Sequence, residues 1–156
     1  MSQTWIELDL GVLDGNIRSV RAALSAGTEM IAVVKANAYG HGMLPVARRA
    51  WDGGVKWFAV AHVAEAMELR EALPAAQILI VGAMDPADVE TAIEKQFIPL
   101  VVSKHHALAL ASAAQALAKT LRVQVKIDTG MGRLGFAWED ASRQLLPLAR
   151  HGGLEF

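Results

Sequence analysis

The sequence predicts a parallel α/β fold in which strands and helices alternate along a single chain. Three observations carry that expectation. The apolar period switches repeatedly between two and about 3.6, the mark of alternating strands and helices. The connections between these stretches are only a few residues long, as in units wound one way around a sheet. No composition shift or linker divides the 156 residues, so they read as one domain with room for a core.

Residues 5–10 alternate apolar and polar and are expected to form a strand. Leu13, Ile17, Val20 and Leu24 follow at helical spacing and stop at Gly27, a natural terminator. A β-branched run at 30–34 is the next strand, followed by a loop over 37–42. Leu44, Val46 and Ala47 lead a helix toward Trp51 that ends at Gly53-Gly54. Residues 57–61 read as a strand, and 64–73 as a helix whose exposed face holds Glu65, Glu68 and Glu71. Another strand is expected at 77–81. Asp85-Pro86 then caps and starts a helix, since proline at the first helical position loses no hydrogen bond. A strand at 97–102, Ser103 as a cap and an alanine-rich helix over 105–119 come next. A strand at 122–128, a glycine-rich loop and a helix from about Trp138 to His151 complete the pattern. That makes about six strands, each followed by a helix.

Composition narrows the function classes. Fifteen Lys+Arg against 16 Asp+Glu leave no basic face for nucleic acid. No stretch reaches the ~20 apolar residues of a membrane helix, although 53% of the chain is hydrophobic. The start, Met1-Ser2-Gln3-Thr4, has no basic n-region, so a secretory signal is not expected. Zero cysteine excludes disulfides, thiolate metal sites and a cysteine nucleophile. The expectation is a soluble, cytoplasmic protein with no nucleic-acid, membrane or metal partner.

Two parallel architectures compete. Length favours an open doubly wound sheet, because a closed (β/α)₈ barrel needs at least ~200 residues. Strand chemistry points to a barrel. In 123–128 the apolar side chains share one face, while Gln124, Lys126 and Asp128 share the other. A central strand of an open sheet is covered by helices on both faces and should be apolar on both, whereas a barrel interior holds functional groups near its strand ends.

Two glycine-rich loops are candidates for chemistry. Gly130-Met131-Gly132-Arg133-Leu134-Gly135 fits G-x-G-x-x-G, with Glu155 about 20 residues on where a ribose-binding acid belongs. Against a dinucleotide site, the motif follows the last strand rather than the first, and Asp128 would lie beside the pyrophosphate. The helix also starts after the third glycine. The plain alternative is a tight turn that glycine permits. The second candidate is the stretch 33–42, in which Lys35 ends a strongly apolar strand at the rim where parallel α/β folds carry their active sites. A lysine amine there can form a Schiff base with an aldehyde; the alternative is a lysine snorkelling to solvent. Tyr39 is the single tyrosine of the chain, and His41 suits a helix cap as well as a ligand.

VVKANAYGHG at 33–42 resembles the pyridoxal-phosphate lysine motif of alanine racemases, and KIDTGMGRLGF at 126–136 resembles the second signature of that family. WIELDLGVLDGNI at 5–17 and FAVAHVAEAMELREA at 58–72 are similar to it as well. Both signatures stand in family order, and the likeness covers essentially the whole chain.

The resemblance implies a (β/α)₈ barrel binding pyridoxal 5'-phosphate, followed by a mostly β domain and assembled as a homodimer. It implies that residues 1–156 are the N-terminal part of that barrel, about five of its eight strands plus an N-terminal strand. Lys35 would carry the cofactor covalently and act as base on one face of the substrate Cα. Tyr39 would reach the cofactor phosphate. Arg133 would bind near the cofactor's phenolic oxygen and the substrate carboxylate, and Lys126 matches a lysine carbamylated in several members. A carbamate at Lys126 would convert a cation into an anion able to orient Arg133.

The implied reaction is interconversion of L- and D-alanine for peptidoglycan synthesis. It needs two bases. In the family the second is a tyrosine from the partner subunit, which Tyr39, four residues from Lys35, does not match. The 156 residues alone are therefore expected to have little racemase activity. Two alternatives are a non-catalytic cofactor-binding pseudo-racemase and a dinucleotide-binding domain.

Overall fold

Four parallel pairings build the centre of the fold, which a computed structural model describes over residues 5–156. Strands β1 (Ile31–Val33), β2 (Trp57–Val60), β3 (Gln77–Ile80) and β4 (Phe97–Val101) lie side by side in that order. Beside β4 runs one further line of chain, β5 (Leu121–Arg122) and β6 (Gln124–Val125), joined through Val123. Its outer side pairs, again in parallel, with β9 (Leu154–Glu155); before that, β7 (Ile127–Asp128) pairs with β8 (Phe136–Ala137). Parallel neighbours require crossovers, and the helices supply them. These are α1 (Leu10–Ala23), the short α2 (Lys35–Tyr39), α3 (Met43–Asp52), α4 (Val63–Ala72), α5 (Val89–Glu94), α6 (Lys104–Ala116) and α7 (Ala141–Leu148). Asp85 caps a 3₁₀ turn, Pro86–Asp88, that leads into α5, and Ser103 caps α6.

The two faces of the sheet differ. Ala32, Phe58, Ile78 and Phe97 are register partners on the face turned to the helices. There Phe58, Ile78 and Phe97 join Leu69 of α4 and Leu110 of α6 in the main core. Burying each such side chain is worth about 1.5–3 kcal/mol. Val33, Ala59, Leu79 and Ile98 are partners on the other face, where Ala59, Leu79 and Ile98 form a second, smaller cluster with Trp57 and Val81. Ile31 and Val33 remain 48% and 44% exposed there.

This second face is concave. Ile31 on β1, Trp57 on β2 and Gln124 on β6 line one cavity. At about 4.8 Å per strand, β1 and β6 would stand about 19 Å apart in a flat sheet. The curl is that of a TIM-type barrel, and among the described residues the sheet stays open. The expected alternation in 123–128 holds over its first half only: Val123 and Val125 pack into the main core and Gln124 is exposed, whereas Ile127 is 36% exposed and Lys126 and Asp128 are half-buried.

Several expectations need correction. Residues 5–9 form no strand, because Asp9 turns its carboxylate onto the N–H groups of Gly11 and Val12 and starts α1 at Leu10. Trp5 and Ile6 are exposed and have no neighbouring strand among the described residues. The expected strand at 122–128 is broken into pieces that pair with β9, β4 and β8 in turn. The last helix begins at Ala141 rather than Trp138, since Phe136–Ala137 are taken up by pairing with β7. The expectation drawn from Met1–Thr4 lies outside the described residues. Among those described, no helix is long and apolar enough to cross a membrane.

Candidate active site

The C-terminal end of β1 sets the site. Val34 is fully buried, and its N–H donates to the Ala59 carbonyl at 2.9 Å, so the strand is anchored up to the residue before Lys35. Lys35 follows at the rim, half-buried. The ion pairs of the described residues are Arg49–Asp14 and Arg143–Asp140, so no carboxylate neutralises the Lys35 amine.

The next four residues leave the ordinary backbone regions. Ala36, Asn37, Ala38 and Tyr39 all have positive φ, from 51° to 55°, so α2 is a left-handed turn. An L-residue pays roughly 1–2 kcal/mol for that conformation, and a run of four without glycine persists only where its surroundings dictate it. They do. The Ala38 N–H donates to the Val34 carbonyl at 2.8 Å, and the N–H groups of Gly40 and Gly42 return to the Asn37 carbonyl. Asn37 Oδ1 accepts from the Met43 N–H at 2.7 Å and so ties the turn to α3. Gly40 and Gly42, with φ near 90°, take the chain out of the turn. Tyr39 is left 62% exposed on the rim, and the His41 ring donates through Nδ1 to the Ala38 carbonyl, so His41 braces the turn.

Glu65 is the residue that sequence reasoning misplaced. Its carboxylate is not on a solvated helix face. Oε1 accepts from the Ala36 N–H at 2.7 Å, while Oε2 accepts from the N–H groups of Ala61 at 2.7 Å and His62 at 3.3 Å. An acid three residues after a helix cap is a known signal, but it is sought behind serine or threonine, and His62 concealed it. His106 was also missed. It bridges the next two rim loops, accepting at Nδ1 from the Val102 N–H and donating from Nε2 to the Met84 carbonyl.

The second signature lies at the same end of the sheet. The Lys126 N–H donates to Val101 of β4 at 3.0 Å, and its carbonyl accepts from Phe136 at 2.8 Å. The glycine loop between folds back over it. Gly135 has φ of 121°, and a Cβ there would stand 2.9 Å from both the Asp128 nitrogen and the Lys126 oxygen. Arg133 is exposed at the loop tip. Asp128 Oδ1 accepts from the Gly130 N–H at 3.0 Å, and the Gly130 and Gly132 amides hold this carboxyl below its usual range. The Gly130 amide, which a pyrophosphate in this loop would need, is turned onto a protein carboxylate, and this weighs against the dinucleotide reading. Lys35, Tyr39, Lys126 and Arg133 thus share one rim, and no hydrogen bond joins any two of them among the described residues.

The chain is similar to known proteins over nearly its whole length. A family model described as alanine racemase, N-terminal domain, matches residues 8–156. The alanine racemase of Geobacillus stearothermophilus is 41% identical over 145 residues, covering 93% of this chain and 37% of that protein. The solved alanine racemase of Clostridium difficile 630 superposes with a TM-score of 0.88 at 31% identity, over 99% of this chain and 41% of that one. A Bartonella henselae alanine racemase with covalently bound pyridoxal phosphate gives 0.81 at 28% identity, over 91% of this chain and 41% of that one. A histidine racemase from Leuconostoc mesenteroides gives 0.83 at 27%, over 93% and 39%. The chain spans 36–42% of the length of the first curated relatives it matches. By the family match over nearly its whole length, the chain belongs to the alanine racemase family.

Proposed function

We propose that residues 1–156 are the N-terminal part of the cofactor-binding barrel of a racemase that interconverts L- and D-alanine for peptidoglycan synthesis in the cytoplasm, as a homodimer in its full-length form. The observation that carries this reading is Lys35: a half-buried lysine with no carboxylate partner among the described residues, at the C-terminal end of a parallel strand, followed by a left-handed turn that the surrounding structure dictates. Pyridoxal 5'-phosphate fits this donor set, which offers a free primary amine for its aldehyde and a rim-exposed phenol at Tyr39 for its phosphate.

Bound there, the cofactor supplies an electron sink that makes the Cα proton of an amino acid removable. Lys35 Nζ would hold the cofactor and move the proton at Cα on one face. Tyr39 would bind the phosphate, and Arg133 the side of the substrate carboxylate. Lys126, as a carbamate, would present an anion to orient Arg133. A second base is needed on the opposite face, and Tyr39, the single tyrosine of these 156 residues, would on this reading serve the phosphate side. That count favours a second reading for the chain taken alone, cofactor binding without racemisation.

An absorbance titration with pyridoxal phosphate, on the wild-type chain and on Lys35→Ala, tests the assignment. The expected result is a saturable band lost in the variant, with D-alanine formation far below a normal turnover rate. Equal bands in both proteins would overturn the role of Lys35. Brisk D-alanine formation would overturn the need for a base outside these residues. Because a histidine racemase shares the fold, the assay includes histidine alongside alanine.

A further inference from the structure

We infer that Glu65 is a positioning residue for Lys35: its carboxylate clamps the ends of the first two strands of the curled sheet together and fixes where the lysine-bearing turn begins. The inference rests on the reading of Lys35 as the cofactor lysine.

The two carboxylate oxygens serve different βα turns. Oε2 accepts from Ala61 and His62 at the end of β2, which is what a helix-capping acid at this position does. Oε1 does something capping does not require. It reaches back 29 residues to the Ala36 N–H, at 2.7 Å. Ala36 directly follows Lys35 and is the first residue with positive φ, so the bond falls at the point where β1 gives way to the left-handed turn. The turn's other hydrogen bonds arise within residues 34–43. Among the described residues, Glu65 is the one side chain from another βα unit that binds it.

Ala61 is itself fixed from its other side. The Val81 N–H donates to the Val60 carbonyl at 2.8 Å, and Gly82 approaches the Ala61 carbonyl so closely that a Cβ at Gly82 would collide with it. The clamp therefore transmits the position of β2 and β3, through Ala61 and Glu65, to the residue beside Lys35. A carboxylate suits the task because both of its oxygens are acceptors. Glutamine has the same shape but offers one acceptor, and its amide group would face a backbone N–H with another donor. Aspartate keeps both acceptors but is one methylene too short to span the same two turns.

The test compares the full 156-residue chain with Glu65→Gln and Glu65→Asp by two readouts. The first needs no cofactor. Hydrogen exchange is followed at the Ala36 amide, with the Phe58 and Leu69 amides as internal controls for folding. Loss of a hydrogen bond to a charged acceptor should speed Ala36 exchange about ten- to a hundred-fold, with the controls near wild type. The second is borohydride-trapped pyridoxal phosphate on Lys35, counted against labelling of exposed Lys95 and Lys119 in the same sample. Glu65→Gln should lower the Lys35 label several-fold and leave the other two unchanged. Unchanged Ala36 exchange in Glu65→Gln would overturn the clamp, and an unchanged Lys35 label would overturn its positioning role. A wild-type chain that takes no label at Lys35 would refute the cofactor reading, while the Ala36 amide would still decide the clamp.

Discussion

Replacing Ala36 by glycine should stabilise this protein, although alanine-to-glycine changes in helices ordinarily do the reverse. Ala36 sits at φ 51°, ψ 49°, with its side chain exposed. The left-handed conformation costs an L-residue about 1–2 kcal/mol, and glycine adopts it without that strain. Glycine in turn loses about 0.5–1 kcal/mol through the greater freedom of its unfolded chain. The difference leaves a gain of about 0.5–1 kcal/mol, or about 2–3 °C in Tm for a chain of this size. The control is the same substitution at Ala109, inside the right-handed α6. There it should cost about 1 kcal/mol. Urea unfolding of both variants, followed by far-UV circular dichroism, gives the two midpoints. Opposite signs support a left-handed turn after Lys35. If Ala36→Gly lowers the midpoint as Ala109→Gly does, the turn is not left-handed in solution and the account of how Lys35 is presented fails.

Two further outcomes follow from the rim. The amides of Gly130 and Gly132 depress the folded pKa of Asp128, so its contribution to loop order is present above the ordinary carboxylate value of about 3.9 and is lost as pH falls through the lower folded value. The Gly130 amide resonance should therefore hold its position from neutral pH to about 4 and move only in stronger acid, and Asp128→Asn should abolish that acid transition. Gly82→Ala should destabilise the chain by about 1–3 kcal/mol, through overpacking against the Ala61 carbonyl. A urea midpoint unchanged by Gly82→Ala would show that the approach of β3 to β2 is looser than described.

The large features of this fold are legible in the sequence because they depend on periodic burial. Phe58, Ile78 and Phe97 lie in apolar runs, and each faces helices that carry their own apolar stripe. The polar face of Gln124, Lys126 and Asp128 points to a curled sheet against the open sheet that length favours, because a central strand of an open sheet is covered by helices on both faces. What the sequence concealed depends on single hydrogen bonds. The alternation in residues 5–10 is a valid strand pattern, but Asp9 caps α1 and no neighbouring strand accepts Trp5 and Ile6. Glu65 has the spacing of a surface acid, and only the fold reveals that it reaches Ala36. A left-handed run of Ala, Asn, Ala and Tyr is invisible to propensity rules, which assign that conformation to glycine. Lys35 ends the apolar run at 30–34, a place that suits a lysine snorkelling to solvent as well as a reactive amine, and the resemblance of 33–42 to a cofactor-lysine motif is what singles it out.

The central claim is that Lys35 carries the cofactor. Its most direct test is peptide mass spectrometry of the chain after incubation with pyridoxal phosphate and reduction with borohydride. The account predicts one dominant reduced pyridoxyl adduct, on the peptide containing Lys35, and none there when borohydride is omitted. An adduct spread evenly over the exposed lysines, or concentrated on Lys126 with Lys35 unmodified, would contradict it.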